Sequence, residues 1–294
     1  MTESEDRIVY TDGELEAIRK AHALLQDAEF CKKHKLFDAL QAKAISKRHL
    51  AITALICKSR PEEAARKYIE WLQGLADWGI GEFNEDQLTN PPERSNHYLG
   101  SYKLTGRDVH GTCIFWIDGG TTIPNDTEEE KMSIYAGIRY HMAVHSDART
   151  AREGLTFVID VTNQPTKKVG NERRMQSCYN SYPLRPQHIF IVGASRIVRL
   201  AINALLLIGG LVSKTKILRR IKFVTLDEVV DEKSGGTVPK RSLPRHLKGD
   251  DLEDLMTNLT IKEDQKKGGS NLTEEQLIAS WVKHQIAQIP FPDI

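Results

Sequence analysis

The residues best placed for chemistry are a histidine pair, an Asp-Gly-Gly-Thr-Thr turn and a Gly-Ala-Ser turn. His141 and His145 stand four apart on an expected helix, a spacing that can present two imidazoles to one metal ion. The residues between them are Met142, Ala143 and Val144, so the glutamate of a zinc hydrolase is missing, and a surface or core pair of histidines is the preferred reading. Asp118-Gly119-Gly120-Thr121-Thr122 follows an expected strand, as a phosphate-binding loop does. The chain then runs into Pro124-Asn125-Asp126 and a glutamate-rich helix start instead of returning as a hairpin, so a glycine-rich turn and a helix cap account for it. Val192-Gly193-Ala194-Ser195 joins a strand to a helix without the three-glycine dinucleotide pattern or a Walker lysine. No Gly-x-Ser-x-Gly elbow occurs. The cysteines at 31, 57, 113 and 178 form neither a disulfide framework nor a zinc knuckle. The expectation is a protein with no catalytic residue, no metal and no cofactor. An enzyme using Asp118 or the His141/His145 pair is the least favoured reading, because no convergent site is visible.

Charge carries the stronger signal. The chain balances 41 Lys and Arg against 40 Asp and Glu, which argues against a dedicated nucleic-acid binder. From Arg173 through Leu226 that balance breaks: ten basic residues occur with no acid among them. The same segment holds the most apolar helix, Ile197 to Val212, with Arg196 before it, Arg199 in its first turn, and Lys214, Arg219 and Arg220 after it. Apolar surface beside Lys and Arg is what an anionic membrane interface attracts. An ordinary buried helix with solvated charges around it is the alternative.

The elements that must carry these residues divide the chain. At 294 residues it is long enough for about two domains, and it buries a core without a metal or disulfide. Its opening Met1-Thr2-Glu3-Ser4-Glu5-Asp6-Arg7 is acidic and polar, unlike a secretory or transit peptide. The longest charge-free apolar stretch, Leu200 to Ser213, is 14 residues, short of a membrane span. A soluble protein of a reducing compartment is expected. The first 80 residues read as helices, with Thr11 to Glu14 as a cap and Pro61-Glu62-Glu63 opening a further helix. Pro91-Pro92 marks a boundary. Beyond it, strands at Cys113–Ile117, Leu155–Val161, His188–Val192 and Ile221–Thr225 alternate with helices at Thr127–Val144, Glu172–Tyr182 and Ser195–Leu207. That alternation implies crossovers and a largely parallel sheet. Asp250–Gly269 is charged and poor in aromatics, and Thr273 to Gln276 fits a capping box for a last helix through Ile286.

In this order the motifs resemble the CRAL-TRIO family of lipid-binding and lipid-transfer proteins. The resemblance rests on Gly106-Arg107-Asp108-Val109-His110-Gly111 before a strand, and on Gly154-Leu155-Thr156-Phe157-Val158-Ile159-Asp160. Tyr182-Pro183-Leu184-Arg185-Pro186 then leads into the next strand, followed by the apolar helix, Lys216-Ile217, and Leu243-Pro244-Arg245-His246-Leu247-Lys248-Gly249. It spans about residues 98 to 249. The fold expected is α/β: a helical N-terminal region (1–92), a mixed, largely parallel sheet covered by helices with an apolar gate helix (93–250), and a tail with a final helix (251–294).

The resemblance implies a pocket floored by the sheet and closed by the gate helix, about Ser195 to Val212. Phe115, Ile117, Phe157, Ile159, Ile189 and Ile191 are the expected floor, and Leu200, Ala201, Ala204, Leu205 and Ile208 the gate. A 16-carbon acyl chain costs on the order of 13 kcal/mol to expose to water at ~0.8 kcal/mol per methylene, so a carrier must supply apolar walls and open only at a membrane. Lys216 matches the family's lysine before the last core strand and Ser213 a small hydroxyl, together a phosphate contact. Leu184 stands where phosphatidylinositol-binding members have a carboxylate, and Lys248-Gly249 replaces a glycine pair, which leaves the headgroup open. Leu55-Ile56-Cys57-Lys58-Ser59-Arg60 replaces an arginine-rich stretch. The expectation is a cytoplasmic, peripherally membrane-associated lipid-transfer or lipid-sensing protein whose partners are a lipid and, transiently, an anionic membrane surface. The rival is a protein-docking module of the same fold beside small-GTPase regulators.

Overall fold

The computed structural model describes residues 7–35, 46–80, 84–119, 127–162, 183–196, 198–200, 219–248, 273–292 and 294. Helix α1 (Asp12–Gln26) begins at a reciprocal capping box, in which the Glu14 N–H donates to Thr11 Oγ1 and the Thr11 N–H to Glu14 Oε2. Helices α2 (Ala28–Lys33), α3 (Lys47–Ile56) and α4 (Pro61–Asp77) follow. Proline opens α4 where no donor is needed, and its expected stripe of Ala64, Ala65, Tyr68, Leu72 and Leu75 is buried. The boundary at the proline pair contains one further short helix, α5 (Glu85–Thr89), capped by Asn84, before a 3₁₀ segment over Glu93–Ser101.

Five strands form one sheet in sequential order: β1 (Tyr102–Lys103), β2 (Ile114–Asp118), β3 (Leu155–Asp160), β4 (Pro186–Val192) and β5 (Ile221–Val224). The β1 edge is antiparallel and the other pairs are parallel. Helices α6 (Thr127–Val144) and α7 (Ala148–Glu153) cross from β2 to β3. Two strand limits differ from expectation for local reasons. The Cys113 N–H donates to Thr150 Oγ1 (2.8 Å), so the regular ladder starts at Ile114. Thr225 caps helix α8 (Leu226–Val230), which ends β5 at Val224.

Side chains alternate across each strand, and parallel register aligns them between strands. Ile114, Trp116, Val158, Phe190, Val192 and Val224 share one face, packed against Val229, Val238 and Leu243. The other face meets α6 and the helical region, where a continuous core runs from Ile8 to helix α9 (Glu274–Gln288), the last helix expected from its capping box. A sheet covered on both sides explains the near-continuous apolar runs of β3 and β4. The segments 163–182 and 249–272, with the expected helix at Glu172–Tyr182 and the charged stretch, lie outside the described residues.

Candidate functional site

All six expected floor residues fall on the face turned toward α6. They form two cross-strand rows: Phe115 is level with Phe157 and Ile189, and Ile117 with Ile159 and Ile191. Strand β5 extends each row, adding Ile221 and Phe223. Phe115 and Ile191 are buried, whereas Ile117, Phe157, Ile159 and Ile189 are half-buried. The rows divide by what covers them. At the α6 end, Phe115 stacks on Phe157 (4.7 Å) and meets Tyr140 edge-on (5.0 Å), while Tyr102 stacks on Tyr140 (4.6 Å). At the other end Ile191 packs with Val161 and Ala194, and with Val198 of the helix that follows β4.

That helix starts as its sequence requires. The Val198 N–H donates to Ser195 Oγ (3.3 Å), Arg199 Nε donates to the Ala194 carbonyl (3.1 Å), and the Arg199 guanidinium lies over Phe223 (5.7 Å). Arg196 and Arg199 are exposed, and Leu200 is 70% exposed. Ala201, Ala204, Leu205, Ile208, Ser213, Lys214 and Lys216 lie outside the described residues.

A basic cluster that the sequence reading did not assemble lies at the opposite ends of the strands. Arg185 precedes β4 and donates to the Arg152 carbonyl. Arg220 precedes β5 and donates to the Pro186 carbonyl (2.5 Å), and Arg219 beside it is exposed. Arg60 stands at the start of α4. Partial burial holds the Arg185 guanidinium below its usual pKa, and the positive charges of Arg220 and Arg60 add to the effect. Arg60 is already paired with Glu63 (2.5 Å), and Glu153 offsets part of the positive charge around Arg185. Arg185 and Arg60 both stand in motifs already singled out; only folding shows them to be neighbours.

The remaining candidates resolve into structure. His141 and His145 are fully buried, which selects the core reading, and the described residues hold no metal-binding group of three or more His, Cys, Asp or Glu. Asp118 ends β2 level with Asp160 on β3, whose Oδ1 accepts from the Thr162 N–H (3.0 Å), and the Gly119 N–H donates to the Asp160 carbonyl (2.6 Å). Gly193 has a φ of +75° and Thr162 Oγ1 would lie 2.3 Å from a Cβ there, so this glycine is a tight turn. Leu184 is half-buried against the main core.

The distant motifs are also neighbours. The Gly106 N–H donates to the Ser242 carbonyl (3.2 Å) and Ser242 Oγ to the Arg107 carbonyl (2.6 Å), joining the first motif to the closing one. Asp108 accepts from the His110 and Thr112 amides and from the hydroxyls of Thr112 and Thr156, which ties the first motif to β3. Residues 98–249, just over half of the chain, match the family model described as CRAL/TRIO domain. No curated protein gives a match.

Proposed function

We propose that this chain, which belongs to the CRAL/TRIO family, binds one hydrophobic lipid over the α6-side face of its sheet and exchanges it at an anionic membrane surface. Domains of this family are in general lipid-binding or lipid-transfer domains, and most members are carriers rather than enzymes. The observation that carries the reading is the pair of apolar rows from Phe115 to Ile221 and from Ile117 to Phe223, half-buried where Val198 and the start of an apolar helix approach.

Handedness supports a cover on that face. Strands added in sequence in one direction, joined by right-handed crossovers, put every connection on the same side of the sheet, and α6 is already there. Leu200, Ala201, Ala204, Leu205 and Ile208, which belong to the chain between β4 and β5, are the residues we assign to a lid. Arg196, Arg199, Lys214, Arg219 and Arg220 are the residues we assign to the membrane, each adding about 1 kcal/mol near an anionic leaflet. Ser213 and Lys216, with Arg60 and Arg185, are assigned to an anionic headgroup. No helix of the described residues is long and apolar enough to cross a membrane, and the protein is proposed to act from the cytoplasm as a peripheral, reversible binder.

Native mass spectrometry of the purified full chain, with solvent extraction of whatever accompanies it, tests the reading. A single stoichiometric lipid, or one acquired from mixed liposomes, is the expected result. A protein that stays empty and ignores anionic vesicles would leave the fold as a docking module.

A further inference from the structure

Three histidines from distant parts of the chain meet where the helical region packs on α6. His49 belongs to α3, His141 to the end of α6, and His145 follows it directly; all three are fully buried. The His141 ring lies 4.2 Å from His145 and 6.4 Å from His49. Tyr68 and Trp71 of α4 approach His49 at 5.4 and 5.8 Å. His145 Nδ1–H donates to the His141 carbonyl (3.0 Å), which fixes the proton on Nδ1 and leaves Nε2 buried with no partner among the described residues. The cluster is thus built for neutral imidazoles.

Helix α1 turns Ala17, Ile18, Ala21 and Leu25 inward, none of them titratable. The Tyr68 phenol of α4 donates to the Ser46 carbonyl (3.3 Å), and burial raises its pKa, so it stays neutral. Asp147 stands beside His145 and favours its protonated form; its carboxylate already accepts from Arg107 (2.6 Å) and caps α7 through the Thr150 N–H (2.7 Å). The Pro183 carbonyl, on the approach to β4, favours a proton on His141, while His145 and His49 oppose it.

We propose that His49, His141 and His145 form an acid-sensitive seam, neutral and closed at pH 7, whose protonation parts α3 from the end of α6. Burial drives the pKa of His49 down to about 3 and that of His145 to about 4, and His141 is lowered as well. A depressed histidine pKa means the unfolded chain binds more protons, so stability is complete above about pH 6.5 and is lost as pH falls toward the folded values. At pH 5 His49 and His145 each raise the unfolding equilibrium constant by about 30-fold.

The test is urea unfolding of the full chain at pH 7.5 and pH 5.0, with amide hydrogen exchange, for wild type, His145→Asn and His49→Phe. Asparagine keeps a donor for the His141 carbonyl but does not titrate, and phenylalanine keeps the ring volume. Wild type should lose stability steeply, with α3 and the end of α6 exchanging before β3 and β4, and each variant should recover about 30-fold of the acid loss. Variants that keep the whole acid loss, or a seam that exchanges no earlier than the sheet at pH 5.0, would overturn the proposal. Should neither variant fold, the order of exchange in the wild type decides.

Discussion

A Cβ placed on Gly154 would stand 2.3 Å from the backbone carbonyl oxygen of Arg185, the oxygen that accepts from the Leu155 N–H (3.1 Å). The end of α7 and the start of β4 therefore touch through bare backbone, at a φ of +105° and ψ of −172° that only glycine adopts readily. Gly154→Ala is expected to destabilise by ~3 kcal/mol, strain and clash together. It should also weaken anionic vesicle binding beyond the stability loss, because the displaced residue carries the Arg185 guanidinium. Urea unfolding beside vesicle co-sedimentation separates the two effects.

Asp147 joins three parts of the molecule. Its carboxylate caps α7 and accepts from Arg107 of the first motif, and its backbone bridges to Arg7. Asp147→Ala removes a buried partner and a cap at once, and a loss of about 3 kcal/mol is expected. Asp147→Asn should recover part of it, since the amide oxygen can still accept from the Thr150 N–H. Equal losses for the two variants would assign the whole effect to the ion pair.

The basic cluster makes its own prediction. Arg185→Gln and Arg220→Gln should each weaken binding to anionic vesicles about 5-fold, the equivalent of ~1 kcal/mol per charge near the surface. The effect should fade at high salt, where the Debye length shrinks to ~3 Å. Arg66→Gln, which removes a charge paired with Glu70 on α4, serves as the control and should change little.

How much of this was legible in the sequence depends on where its signals lie. The runs of β3 and β4 are legible because both faces of those strands are covered; the floor residues lie at two-residue spacing, so within each strand the pair shares a face, and the parallel register aligns the pairs between strands. Helix α6 was legible from its ends but not from its pattern: every residue from Ile138 to Val144 is buried, which erases the amphipathic stripe and hid that both histidines are core. His49 as the third imidazole is a contact between distant segments, for which local periodicity carries no information. Strand β1 has two residues, too few for any alternation to show.

The two faces of the sheet should respond oppositely to substitution. Phe190 is fully buried on the face closed by Val229, Val238 and Leu243, so Phe190→Ala leaves a cavity that cannot collapse and should cost ~3–5 kcal/mol. Ile189, its neighbour in the chain, points the other way and is only half-buried, so Ile189→Ala should cost less than about 2 kcal/mol. If that face holds lipid, enlarging its side chains displaces ligand instead of disrupting a core: Ile189→Trp should leave urea stability near that of wild type while sharply reducing the lipid recovered by extraction. Lipid uptake that survives Ile189→Trp and a matching Ile159→Trp would move the binding site off these rows, because the two positions interrupt both of them. A large stability loss from either tryptophan would instead reveal a face already filled by protein.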